Sequence, residues 1–449
     1  MFSTPSSTGD GGPGGGSGQS GLFAAQIRRH YDLIAVQPRG LSWSTPLDCR
    51  EALDRSEGLP GSLATVARAV QTAGDLYRAC EEADSGYVST MTTETVARDL
   101  EEVRTALGEP ELNLYGVSYG GVLMATYASL YPERTGRVIL DSPVAPEDRW
   151  FGLGDRRRDE RRGIVRDFFA WVAARDDVYG AGTTPLQVYR VWLAAVRREA
   201  DRTGLIIPPA ITTADLPGDG GGSGDAEAGL LDGLNAVSWR LGTLGDALLS
   251  YVTGAFPEST SENLVLGDAV YSDRNWGAVA SFITAVPEPG GNPVGHGGLG
   301  GTAATGAEPV SPSLTAEAPG ARLFGSFVER AIVCNENAVP PRVDIIARAV
   351  GNVYFGGDVI ETQADELASG LFCLGWPEPG PAVRLNGELL RRSPLVLGFE
   401  RDGAVSSSGS VRMAEAVNGR LITVPGIGHG VLPSVPATVE AAMVDYMIY

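Results

Sequence analysis

Residues 112–127 read Leu112-Asn113-Leu114-Tyr115-Gly116-Val117-Ser118-Tyr119-Gly120-Gly121-Val122-Leu123-Met124-Ala125-Thr126-Tyr127. A short apolar run, then G-x-S-x-G, then a helix-forming run is the pattern of a strand that turns into a helix through a serine. The glycines leave room for a turn too tight for side chains, so the serine is forced into strained backbone with its hydroxyl exposed above the sheet edge. That placement points to nucleophilic acyl transfer by Ser118. With 60 Gly in 449 residues a bare G-x-S-x-G arises by chance roughly once in every two such sequences, so the flanking strand and helix carry the weight.

A serine hydroxyl near neutral pH needs a base within reach and an acid that orients the base. Three histidines are available. His296 lies in an aperiodic Gly/Pro/Ala stretch and His30 at the entry of the strand pattern Tyr31–Val36, both structural or solvated positions. His429 follows the buried-type run Leu421–Val424 in the loop Pro425-Gly426-Ile427-Gly428-His429-Gly430, whose glycines let a loop deliver a side chain into a shared site. For the acid, Asp402 sits just past the run Ser393–Phe399, where open parallel sheets place their chemistry. Asp141 ends the run Arg137–Leu140 and competes with it; Glu400 is a third choice. Asp402 is favoured because the span from 402 to 429 has room for one helix and one strand. The order Ser118, Asp402, His429 is then that of α/β-hydrolases and not that of the chymotrypsin or subtilisin folds. An oxyanion hole needs two preorganised donors. The Tyr119 N–H is one by geometry, and the glycine-rich run Asp10–Gly18, which otherwise reads as a Gly/Ser tail, is the candidate source of the other.

These stretches together carry a resemblance. GGPGGGSG at 11–18, YDLIAVQPRG at 31–40, STPLDC at 44–49, GVSYGG at 116–121, AIVCNE at 331–336 and GIGHG at 426–430 resemble the exported α/β-hydrolase peptidases typified by tripeptidyl aminopeptidase and proline iminopeptidase. The resemblance runs from about Gly11 to the C-terminus. It implies Ser118, Asp402 and His429 as the triad, Gly12 as the second oxyanion donor, and no cofactor. Glu336 matches the acidic position of the family's A-I-x-C-x-D/E pattern and is the candidate to bind a substrate's cationic amino group, which needs a carboxylate in a partly desolvated cleft. One departure is Asp10, where the proline iminopeptidase branch carries histidine. The implied substrates are peptides cut from their N-terminal end; small esters are the alternative, and a catalytically silent binding protein or fragment a third.

Four cysteines, Cys49, Cys80, Cys334 and Cys373, allow three pairings or four free thiols. No C-x-x-C occurs and only one histidine is a catalytic candidate, so a zinc site has little support. The resemblance favours disulfides and hence an oxidising compartment, secreted or cell envelope. Local pairing of Cys49 with Cys80 and Cys334 with Cys373 would add on the order of 3 to 4 kcal/mol each. The first residues carry neither the basic start nor the apolar run of a signal peptide.

Composition sets further bounds. The formal net charge is −20 and every one of the 35 basic residues is Arg, so nucleic acid and anionic membrane surfaces are poor partners. No apolar stretch approaches the roughly 20 residues that span a bilayer. The chain is long for one domain. Strand and helix patterns alternate to about residue 147, helical patterns and two low-complexity segments (217–229 and 286–320, expected as mobile loops) fill 148–390, and strands return from 391 to 449. The expected fold is therefore an α/β-hydrolase core of mostly parallel sheet, 1–147 and 391–449, with a helical cap inserted at 148–390. A tripeptidyl-aminopeptidase-like region covers about 340–449. The charge run Arg156–Arg162 reads as a solvated helical face. Residues 1–9 hold no apolar run able to form a buried strand, so the N-terminal strands of the fold, including the one between the Tyr31 and Leu112 strands, are expected to be missing. Residues 1–20 are then poorly ordered, and this chain is weakly active unless extended upstream.

Overall fold

The computed structural model describes Phe2–Ser3 and residues 23–49, 73–147, 151–216, 224–253, 257–285, 319–336, 340–354, 357–432 and 435–449. Its strands are β1 (Phe2–Ser3), β2 (Ile34–Ala35), β3 (Leu112–Val117), β4 (Thr135–Asp141), β5 (Leu395–Arg401) and β6 (Arg420–Ile427). They form one parallel sheet in the order β2-β1-β3-β4-β5-β6. The helices that matter below are α1 (Ala25–His30), α2 (Thr93–Leu107), α3 (Tyr119–Leu130), α4 (Phe151–Ala173), α5 (Pro185–Ala200), α6 (Gly224–Thr253), α7 (Pro319–Glu336), α8 (Ser408–Ala416) and α9 (Ala437–Ile448).

A parallel sheet covered on both faces needs apolar residues on both, and the central strands supply them in alternation. Leu112, Leu114, Val138, Leu140 and Val396 pack with α2, α3 and α8. Their neighbours Tyr115, Ile139, Leu395 and Leu397 pack on the other face with Ile27 of α1 and with Val439, Met443 and Met447 of α9. Helix α3 is apolar all round, with Gly120 to Ala128 buried, which fits its place behind the centre of the sheet.

The expectation that nothing fills the slot between the Tyr31 and Leu112 strands is overturned. Phe2 and Ser3 pair in parallel with Ile34 and Ala35 on one side and with Leu114 and Tyr115 on the other, so the ladder is continuous there. Two residues suffice because backbone groups make the ladder. The remainder of 1–20 lies outside the described residues.

Packing divides the chain into two units. The first, Met1–Glu160 with Glu317–Ala349 and Gln363–Tyr449, holds the sheet; the second is Arg161–Ala316 with Val350–Thr362. Between β4 and β5 the described elements are helices and turns, without a strand. The second unit has its own core of packed aromatic side chains, in which Phe168, Phe169, Tyr189, Trp192 and Trp276 meet in edge-on and tilted pairs. Both disulfides form, Cys49 with Cys80 and Cys334 with Cys373, each within the sheet-bearing unit, which indicates folding in an oxidising compartment. Among the described residues no helix is long and apolar enough to cross a membrane.

Two smaller expectations change. Gly224–Gly229, assigned to a mobile loop, are the first turns of α6, where Asp225 and Glu227 suit the positive end of the helix dipole; likewise Pro319 and Gly320 open α7. The rest of the two low-complexity segments lies outside the described residues. The Arg156–Arg162 run is mostly half-buried and not a solvated face: Arg162 pairs with Glu361 at 2.5 Å, and Glu160 accepts hydrogen bonds described below.

Candidate active site

Ser118 follows β3 directly and precedes α3 with φ 59° and ψ −124°, a conformation few side-chain-bearing residues adopt. Its hydroxyl does not cap the helix. What allows the turn is the closeness of strand and helix: a Cβ on Gly116 would lie 2.1 Å from the Gly120 carbonyl oxygen, so only glycine fits. The Tyr119 N–H then heads α3, where first-turn amides have no acceptor within the helix and the dipole favours negative charge.

The end of the neighbouring strand β4 ties this turn to the histidine loop. The Ser118 N–H donates to the Asp141 carbonyl at 2.9 Å. The Asp141 carboxylate, fully buried, accepts the Tyr115 hydroxyl at 2.7 Å and the Val431 N–H at 2.8 and 2.9 Å. Ser142, at φ 44°, accepts the Gly430 N–H at 2.9 Å and donates its own N–H to the Leu397 carbonyl at 2.8 Å. The loop that carries His429 is therefore clamped, residue by residue, beside the elbow. Gly430, at φ 74°, takes the backbone turn that the clamp requires.

His429 Nδ1 lies 2.9 Å from Oδ2 and 3.1 Å from Oδ1 of Asp402. Asp402 is 2% exposed, and its Oδ1 also accepts the N–H groups of Ala404 at 2.9 Å and Val405 at 3.1 Å, a local turn that fixes the carboxylate. Glu160 of α4 accepts the Asp402 N–H at 2.7 Å and the Ser407 N–H at 3.0 Å, gripping the acid-bearing loop from both ends. Burial works to lower the His429 pKa, but the charge and hydrogen bond of Asp402, helped by the Asp141 charge, outweigh it, and the pKa rises above the ordinary value of 6.5. Burial also raises the Asp141 pKa against the bonds it accepts from Tyr115 and Val431. Glu400 accepts the Gly426 N–H at 3.2 Å at the far end of β6.

Glu336, the last residue of α7, sits two residues past the Cys334–Cys373 disulfide. Its carboxylate accepts the Thr93 N–H at the start of α2 and the Thr93 hydroxyl at 2.9 Å. Thr93 Oγ1 lies 2.8 Å from the Tyr119 hydroxyl; with its proton committed to Glu336, it accepts there. A short chain of bonds thus leads from Glu336 to the residue next to Ser118. Glu336 also lines a cavity of about 340 Å³ with Tyr77, Thr92, Asn335 and Glu378. His30 Nδ1 lies 2.8 Å from the Gln26 carbonyl at the exposed end of α1. Gly12 and His296 lie outside the described residues. Glu160, Ser142 and Tyr115 had no signal in sequence: each acts through a partner far away in the chain.

A family model described as alpha/beta hydrolase fold matches residues 10–177, and a second, described as TAP-like protein, matches residues 361–449. These matches and the parallel sheet give the chain an α/β-hydrolase fold. Tripeptidyl aminopeptidase of Streptomyces lividans is 33% identical over 215 residues, 44% of this chain and 40% of that one. Serine protease Hip1 of Mycobacterium bovis is 31% identical over 148 residues, 29% of this chain and 28% of that one. The matches therefore span less than half the length of these curated relatives. The solved proline iminopeptidase of Mycobacterium smegmatis aligns over 80% of this chain and 72% of its own at 12% identity and a TM-score of 0.28.

Proposed function

We propose that the chain is a serine hydrolase that releases short peptides or single residues from the N-terminal end of a peptide. The observation that carries the reading is the strained Ser118 turn clamped through Asp141 and Ser142 to the loop of His429, with His429 Nδ1 on the Asp402 carboxylate. Asp402 keeps the proton on Nδ1, so Nε2 is left as the base. Ser118 Oγ attacks the scissile carbonyl and its proton passes to Nε2. Negative charge develops on the carbonyl oxygen and is met by the Tyr119 N–H at the head of α3, with Gly12 as the second donor. The intermediate collapses to an acyl-serine as the imidazolium protonates the leaving amine, and water deacylates the enzyme by the same route in reverse roles.

Glu336 is the candidate anchor for the substrate's ammonium group. Its place beside a cavity, with one bond relayed by Thr93 to Tyr119, supports a link between amine binding and the oxyanion side of the site. The names of the tripeptidyl aminopeptidase and Hip1 relatives support peptides as the substrate class. The helical insertion at 148–390 is read as the cap, and the chain as an exported protein of the cell surface or medium.

The test is labelling by a fluorophosphonate probe, followed by turnover of free-amine peptide anilides against N-acetylated anilides and short acyl esters. Ser118→Ala abolishes labelling and turnover on this reading. Labelling that survives in the purified variant would sink the triad, and turnover of esters alone would make the protein a carboxylesterase.

A further inference from the structure

Helix α6 carries a second pattern, independent of the hydrolase reading. Leu230, Leu234, Val237, Leu241, Leu244 and Leu248 recur at alternating spacings of four and three, the seam of a coiled coil. Five of them are 55–67% exposed, Leu244 being partly covered. Leu231, Leu249 and Val252 beside the seam are also exposed. The opposite face recurs every seven residues and is anchored within its own unit. Asp232 accepts the Ile211 N–H at 2.9 Å, Trp239 Nε1 donates to the Gly204 carbonyl at 2.9 Å, and Asp246 accepts the Thr203 N–H at 2.7 Å. The helix is thus held by one face while its leucine seam points away from those anchors.

We propose that this seam is the contact through which two copies of the chain pair, α6 against α6. The occupant follows from pattern, charge and area. A 4-3 stripe matches a facing helix with the same stripe, and Leu231 and Val252 widen it at the flanking positions. The chain carries −20 overall, yet between Leu230 and Val252 neither the seam nor its flanking positions hold an acid, and their one charge is Arg240; two such copies can meet there without repulsion. Gly233 and Gly245 flank the seam with open space where a Cβ would stand, so the backbones can approach closely. A membrane surface is the poorer fit, because interfacial helices present Lys or Arg opposite the apolar face and α6 presents Asp232 and Asp246.

Burying a leucine-sized side chain removes about 100 Å² from water, so eight of them at about 60% exposure give roughly 500 Å² per copy. The total of about 1,000 Å² is at the low end for a stable interface, which predicts a reversible dimer at micromolar concentration. Sedimentation velocity of the full chain from about 0.1 to 100 μM, a range chosen to bracket such an interface, reads this directly. The expected result is a monomer–dimer equilibrium, weakened at least about 100-fold by Leu234→Glu with Leu241→Glu at unchanged helicity and melting temperature. Hydrogen exchange at two concentrations gives a second readout, with protection of residues 230–252 rising as the protein is concentrated. A monomer throughout the range, a dimer indifferent to the substitutions, or protection independent of concentration would each overturn the proposal, the last by showing the seam covered within its own chain.

Discussion

Asp402→Asn separates the two carboxylates that end adjacent strands. The substitution is isosteric, but it places an NH₂ or a neutral oxygen where His429 Nδ1 meets a charge at 2.9 Å. Two unit charges at that distance interact by about 5 to 6 kcal/mol at an effective dielectric near 20, which bounds what Asp402 gives the imidazolium formed in the transition state. Part of that offsets the desolvation of a carboxylate only 2% exposed, so a loss of about 10³ to 10⁴ in kcat is expected, with KM little changed. The pH profile gives an independent sign. His429 must be neutral to act, and its raised pKa places the acid limb of kcat/KM above 6.5. Without Asp402, burial remains and only the weaker Asp141 charge opposes it, so the limb moves to lower pH. Stability follows the same linkage: a raised histidine pKa stabilises the fold below 6.5 and loses that contribution as pH rises through the folded value, so Asp402→Asn costs more stability in acid than in alkali. Steady-state kinetics on a peptide anilide from pH 5 to 9 and melting curves at both ends measure all three. Asp141→Asn is the control. It keeps one acceptor oxygen for Val431 and loses another, worth about 1 to 3 kcal/mol of stability and less than tenfold in kcat. If Asp141→Asn proves the crippling variant and Asp402→Asn the mild one, the acid is Asp141 and the reasoning fails.

Three further outcomes are expected. Gly116→Ala drives a methyl into the Gly120 carbonyl and should abolish probe labelling of Ser118 or leave the protein insoluble; a soluble variant labelled at the native rate would contradict the elbow. Replacing Cys334 and Cys373 together by Ser opens a loop of 39 residues and should cost about 4 kcal/mol in the chain-entropy model, read by urea unfolding. Glu336→Gln should raise KM about tenfold or more for free-amine peptides and leave N-acetylated peptides unchanged, whereas an equal effect on both would make Glu336 only the cap of α2.

The elbow was legible in the sequence because its cause is local: two glycines, a serine and the switch from strand to helix lie within a dozen residues. The sheet was legible where strands carry apolar residues for both faces, as Val138–Leu140 and Leu395–Leu397 do. It was not legible at Phe2–Ser3, since two residues have no period and their stability comes from partners at 34–35 and 114–115. The start of α6 was lost among glycines, although Asp225 and Glu227 are a first-turn signal that could have marked it. Glu160 was hidden inside a run of charges. Periodicity places it on a helix but says nothing of the two amides, at 402 and 407, that it serves.

The same limit explains why strand ends alone do not choose between Asp141 and Asp402. Both end parallel strands at the edge where chemistry collects, and chain order tolerates either. What divides them is the donors each one meets. Asp402 turns its carboxylate to a ring nitrogen and two amides of its own loop; Asp141 turns its own to Tyr115 and Val431 and so holds the loop that carries His429. Burial raises the Asp141 pKa, so between the unfolded value near 3.9 and the folded one the native state binds more protons and stability falls as pH rises. A charge that lowers the stability of the fold in that window, next to a serine at φ 44°, is the kind of local cost found where geometry serves a site. On the proposed triad, the clamp formed by Asp141 and Ser142 sets where His429 stands relative to Ser118, and Asp402 sets which of its nitrogens carries the proton.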